Sequence, residues 1–250
     1  MRVLDGVRLR SVAVLPLLSI VGVFAEPMCP PESAPQTPKA LPAQSPLAKA
    51  QAEVANTMDE HFALAKRIHS DVVAGRLDRV RKAAAELAAA SPSSYPADWM
   101  SGVLALRNAA HQAEMAADVA SAGKALGEIV AACGSCHAAL GKGPSFAPVQ
   151  EPPSDARPMQ VHRWAAERMW EGAVGPSDAA WKAGTRRFPA LPECTPDVGG
   201  EIVDQSAIEA AREQVAALGA KAATVTDVRA RAVLFGDYAA TCAACHETGC

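Results

Sequence analysis

At 250 residues the chain has room for one or two domains, and half of its residues are hydrophobic while only 4% are aromatic. Its net charge of −3 falls to −5 without the first 25 residues, which carry Arg2, Arg8, Arg10 and Asp5. Such a mildly acidic, unpatterned charge excludes the basic face that nucleic-acid binding needs. No segment alternates Val, Ile and Thr, and alanine, the best helix former, dominates, so the composition predicts an all-α protein. A core so poor in aromatics calls for another large apolar body.

The chain opens like an export signal. The three arginines form a basic n-region, "SVAVLPLLSIVGVFA" is an apolar run of 15 residues, and "VFA" before Glu26 fits a small-residue cleavage site. The run is short for a membrane span, so residues 1–25 are expected to be removed, leaving a periplasmic or otherwise exported chain with no transmembrane span. "AEPMC" lacks the small residues expected before a lipidated cysteine at Cys29. Residues 26–47, rich in Pro, Ser, Gln and Ala, read as a linker. A second proline-rich linker covers 141–156.

The segments between and beyond these linkers repeat. "MDEHFALAKRIH" (58–69) aligns with "MQVHRWAAERMW" (159–170), matching Met58 with Met159, His61 with His162, Ala65 with Ala166, and Arg67 with Arg168. "DVASAGKALGEIVAACGSCH" (118–137) aligns with "DVRARAVLFGDYAATCAACH" (227–246), so the second unit carries about eight extra residues, placed near 188–200. Each unit, 48–140 and 157–250, parses into four helices from its Pro and Gly punctuation. In the first they cover about 48–74, 77–90, 97–117 and 118 onward. In the second they begin at Pro158 and near Ser177, then cover about 204–219 and 226–247. Short loops between amphipathic helices predict tandem antiparallel four-helix bundles.

The last helix of each unit carries Cys-x-x-Cys-His. In "CGSCH" (133–137) and "CAACH" (242–246), Cys133, Cys136, Cys242 and Cys245 are placed to attach two haem vinyl groups each, and His137 and His246 to bind iron from the same helix face. Two motifs at matching ends of a repeat, behind an export signal, point to two covalent haems c. A thioredoxin-like redox site would require a βαβ setting, which is missing. A shared zinc site satisfies the spacing but leaves the other repeated histidines unexplained. Leu126 and Val130, with Phe235 and Ala239 in the second unit, lie on the face of the motif histidine and are expected to line the haem edge. Gly127 and Gly236, matched inside these helices, suggest close approach to haem or a neighbouring helix.

The remaining iron ligand must precede the motif in sequence. His61 and His162 are shared between the units, whereas His69 aligns with Trp170 and His111 with Ala220. Met58 and Met159 lie one helical turn before the shared histidines. Ala65 with Ile68, and Ala166 with Met169, continue the stripe. His61 and His162 are the preferred distal ligands, with Met58 and Met159, or five-coordinate iron, as alternatives. Of the cysteines outside the motifs, Cys194 and Cys250 are the preferred disulfide pair because they share one half of the chain. Free thiols are the alternative, and Cys29 is then unmatched.

A four-helix bundle with Cys-x-x-Cys-His near its C-terminus resembles the class II cytochromes c, the cytochrome c′ group. The resemblance covers about 48–140 and 157–247 and implies a proximal histidine on the last helix and a distal residue on the first. A histidine beside the shared methionine departs from that pattern. The function expected is periplasmic electron transfer with other redox proteins, without enzymatic activity. A gas-binding (NO or CO) sensor or scavenger is the alternative, followed by a dihaem peroxidase. The two distal stripes look alike in sequence, which gives the peroxidase no asymmetry to build on.

Overall fold

The computed structural model describes residues 46–89, 95–148, 150–188 and 204–247. Residues 1–25, Cys29, Cys194, Cys250 and most of the 188–200 insertion lie outside these, and with them the expectations of a signal segment and a disulfide. The described chain is all-helical, with eight α-helices and no strand among the described residues. They are α1 (Pro46–Val73), α2 (Leu77–Ala88), α3 (Met100–Glu114), α4 (Val119–Leu140), α5 (Pro158–Val174), α6 (Asp178–Arg187), α7 (Gln205–Ala222) and α8 (Val228–Glu247). A single 3-10 turn, Ala97–Trp99, leads into α3. No described helix is long and apolar enough to cross a membrane.

Local chemistry sets the ends that matter. Asp118 caps α4: its carboxylate accepts the Ser121 N–H at 2.7 Å, and the Ser121 hydroxyl accepts the Asp118 N–H at 3.1 Å. That bond to the charged form holds the Asp118 carboxyl below its ordinary pKa. Asp227, its counterpart in the repeat, accepts the Ala230 N–H at 2.8 Å at the start of α8. Gly141 closes α4 at φ 60°, a left-handed conformation that costs glycine nothing, and Gly75 does the same after α1 at φ 67°. The first motif is therefore fixed in the closing turns of a helix capped at both ends.

The described residues, from 46 onward, belong to one compact unit. In the first half α1 packs on α2 and α4, α2 on α3, and α3 on α4; in the second, α5 packs on α6 and α8, and α7 on α8. The most extensive contact of all joins the halves, α4 against α8, with α1 also on α8 and α5 also on α4. This arrangement is reciprocal. A Cβ on Gly127 would meet the Ala232 carbonyl at 3.1 Å, and a Cβ on Gly236 would meet the Gly123 carbonyl at 2.5 Å. In the repeat Gly127 corresponds to Gly236 and Gly123 to Ala232, so the contact is isologous, as across a two-fold axis. Positions 101 apart meet in the same way: Lys66 Nζ lies 3.2 Å from Glu167, and His69 stacks on Trp170 with centroids 5.2 Å apart. A single hydrophobic core runs through both halves and includes Ile68, Val72, Leu87, Leu126, Ile129, Met169, Trp170, Trp181 and Phe235.

Candidate functional site

The helical setting puts the second cysteine and the histidine of each motif three and four residues after its first cysteine, one turn along the helix on either side of it. Cys133 and Cys242 are set inward, and burial pushes both thiols up to about 12. Such thiols stay protonated, the reverse of the acidic thiol of a redox Cys-x-x-Cys. A structural zinc site would require about four protein ligands to converge, and no group of three or more His, Cys, Asp or Glu side chains among the described residues is placed to hold a metal. Haem iron needs only one or two protein ligands, because the macrocycle supplies the others.

His137 is held by the other half of the chain. Its Nδ1 lies 2.7 Å from the carbonyl oxygen of Val174, the last residue of α5. The carbonyl can only accept, so Nδ1 carries a proton, and Nε2 is the nitrogen left to face a metal. A ring held in this way, by a carbonyl on one nitrogen, is the usual setting of an imidazole that binds a metal through the other. The Gly143 backbone flanks the ring, where a Cβ would meet the His137 Cβ at 3.2 Å. Beside Cys136, α3 and α4 border an open cleft of about 420 Å³, with Gly102 and Ala109 in its wall together with the polar and charged Asp98, Gln112, Glu128 and, from α8, Arg229. Gly102 permits α3 to pass this close, since a Cβ there would come within 2.6 Å of the Cys136 sulfur.

The repeated histidines are both buried, His61 at 6% exposure and His162 at 7%. His162 lies within electrostatic reach of His246. Burial first, and the charge of His246 second, lower its pKa to about 4. Its Nδ1 is buried without a hydrogen-bond partner among the described residues, and its ring packs on Phe188 with centroids 4.3 Å apart. Phe188 in turn meets Tyr238 edge-on at 4.2 Å, and the Tyr238 hydroxyl is also buried without a partner. Tyr238 is close enough to Cys242 for that thiol to add to the burial that raises its phenol pKa. His162, Tyr238, Cys242 and His246 thus gather at one end of the second half. Orphaned polar atoms are rare in a folded interior, and a neutral imidazole with an unused nitrogen fits an axial iron ligand.

His61 has different surroundings. The Tyr95 hydroxyl, itself buried, stands 3.4 Å from Nδ1 and 3.3 Å from Nε2. Burial lowers the His61 pKa, and the nearby Glu60 carboxylate partly opposes this. Asp98, three residues after Tyr95, is near enough to Cys136 to add to the burial that raises its thiol pKa. The alternative ligands are less enclosed: Met58 is half-buried and Met159 is 51% exposed. Of the expected haem-lining residues, Ala65, Ile68, Leu126, Val130, Met169, Phe235 and Ala239 are buried, and Ala166 is partly buried against the same core.

Three features escaped the sequence reading. Tyr95 and Phe188 sit in loops and at helix ends, where no periodicity marks them. Val174 acts through its backbone, which its side chain does not advertise. His69, set aside because its counterpart is Trp170, stacks on that tryptophan at the junction of the halves. Compared with protein-family models, curated proteins and solved structures, the chain matches none.

Proposed function

We propose that the chain is a dihaem c-type cytochrome that carries electrons between redox proteins of the periplasm. Each half is read as a four-helix bundle of the cytochrome c′ kind with its haem motif on the last helix. The observation that supports the reading is the place of the first motif histidine: His137 Nδ1 donates to the Val174 carbonyl, which leaves Nε2 as the nitrogen that would meet iron. The sequence adds the duplicated Cys-x-x-Cys-His, in which Cys133, Cys136, Cys242 and Cys245 would form the thioethers and His137 and His246 the proximal bonds. His61 and His162 would close the distal faces. A bound haem would supply a one-electron ferric–ferrous couple at each site, and a filled sixth position leaves no place for a substrate.

The protein's part is then to bind, orient and shield. Val174 fixes the His137 ring, Phe188 and Tyr238 keep water from His162, and the apolar core residues supply a low dielectric. Producing the full chain in a host with a c-type haem maturation system, followed by mass spectrometry, tests the reading. Two covalent haems are expected, with one remaining in the Cys133→Ser, Cys136→Ser double variant; a mature chain without haem refutes it. Gas binding has one observation in its favour, the polar Tyr95–His61 pair. Low-spin spectra at both sites, with no CO uptake on reduction, would eliminate it.

A further inference from the structure

The close approaches along the α4–α8 crossing fix its direction. A Cβ on Gly134 would lie 2.8 Å from the Val228 side chain, one on Gly127 would lie 3.5 Å from the Gly236 Cα, and one on Gly123 would lie 2.6 Å from the Ala240 side chain. Numbers fall along one helix as they rise along the other, so α4 and α8 run antiparallel. His137 and His246 each stand in the last turn of their helix. Antiparallel helices carry their last turns to opposite ends. Counted from the level where Gly127 meets Gly236, the two histidines are about twenty residues apart along the pair, roughly 30 Å at the α-helical rise. The first motif thus lies beside the opening of α8, and by the same pairing the second lies beside the opening of α4. Between the two ends the crossing is covered by buried side chains, among them Leu126, Trp170 and Phe235. The sequence holds no third Cys-x-x-Cys-His.

We propose that the two sites are independent one-electron stations, each loaded and unloaded by a redox protein docked at its own end, and not two steps of one relay. The proposal rests on the dihaem reading and adds to it how partners meet the molecule. Electron tunnelling falls exponentially with the separation of donor and acceptor. A partner docked at one end therefore exchanges its electron with the near site far faster than that site hands it to the far one. Each exchange is complete in itself: one electron leaves the donor and turns one ferric iron ferrous. The charge gained at one end lies several Debye lengths from the other at physiological salt, which screens most of its influence there. Two partners can be bound at once, because neither covers the end that the other needs.

The test uses the full-length holoprotein, after mass spectrometry has verified two covalent haems. Pulsed dipolar EPR of the fully oxidised protein measures the separation of the two irons, and about 25–30 Å is expected from the helical rise. A separation of less than half that value overturns the proposal. The Cys133→Ser, Cys136→Ser and the Cys242→Ser, Cys245→Ser double variants each leave one haem in place. In stopped-flow mixing with a reduced monohaem cytochrome c, the haem that remains should be reduced within about twofold of the rate of its phase in the wild type, as sites too far apart to couple should be. A slowing of about tenfold at either haem means that its electrons arrive through the other, and the proposal falls. If the variants misfold, the iron–iron separation in the wild type still decides. A chain without covalent haem refutes the underlying reading; two haems held close together refute the separate stations alone.

Discussion

Gly127 and Gly236 are matched residues at the α4–α8 crossing, yet alanine is expected to be tolerated at the first and destabilising at the second. In a helix interior Gly→Ala is worth about 1 kcal/mol in favour of folding. At Gly127 the new Cβ would have its nearest contacts at 3.1, 3.4 and 3.5 Å, so a shift of a few tenths of an ångström accommodates it. At Gly236 it would lie 2.5 Å from the Gly123 oxygen and 2.9 Å from the Gly127 N and Cα, all backbone atoms that no side-chain rotation can move. The helices must then separate by roughly 0.5–1 Å, a gap that forfeits a quarter to a half of each contact it opens. Overpacking of this kind costs typically about 1–3 kcal/mol. Because α4 and α8 join the halves, the upper part of that range is expected, leaving Gly236→Ala about 2 kcal/mol less stable after the helix gain. For a chain of this size that lowers Tm by roughly 4–8 °C, whereas Gly127→Ala should stay within about 2 °C of wild type. Thermal unfolding followed by circular dichroism at 222 nm measures both. A Gly236→Ala protein as stable as wild type would refute the close crossing and the reciprocal packing derived from it.

Burial lowers the His69 pKa to about 4, so the folded protein keeps this ring neutral while the unfolded chain takes up a proton below about 6.5. Its contribution is intact above pH 6.5 and is lost as pH falls from there toward 4, by roughly 3 kcal/mol across the window; the fall in Tm between pH 7 and pH 4.5 should be smaller in His69→Phe. Trp181, 1% exposed, donates its Nε1–H to the Ala222 carbonyl at 2.9 Å. Trp181→Phe strands that oxygen at a cost of about 1–3 kcal/mol, read as a lower urea midpoint with an unchanged m-value. In the holoprotein, His162→Ala should turn one haem high-spin and leave the other low-spin; an unchanged spectrum would move the assignment away from His162.

The helices were legible because their signals are local. Pro96, Pro158 and Pro176 precede or open helices, Gly75 and Gly141 close them, and the second helix of the second unit, the least marked of the eight, still forms behind its Ser177 cap. Errors are confined to ends: the third helix was expected to run to about 117 and stops at Glu114. The motif cysteines and the buried state of His61 and His162 follow from spacing and repetition. The groups around those histidines do not. Tyr95, Phe188 and the Val174 carbonyl reach them only through tertiary packing, which leaves no period in the sequence.

The axis between the halves explains why a duplicated sequence yields unequal sites. At a two-fold axis each residue meets its own counterpart, so identical side chains must tolerate themselves. Two lysines or two glutamates at 66 and 167 would repel, while Lys66 opposite Glu167 attracts. Two tryptophans would crowd the place where His69 and Trp170 stack nearly parallel, at 10°. Once the halves are covalently joined, nothing requires the counterparts to remain alike, and divergence at the axis favours a single mutual register over its alternatives. The same freedom extends to the surroundings of the repeated histidines. Because α5 packs on α4, Val174 of the second half orients His137 of the first. Its counterpart, Val73, closes α1, which packs on α8, but among the described residues no matching bond to His246 is made, and His246 is exposed. The α1–α8 and α5–α4 contacts are thus reciprocal, while the backbone bond to a motif histidine is, among the described residues, made to His137 alone.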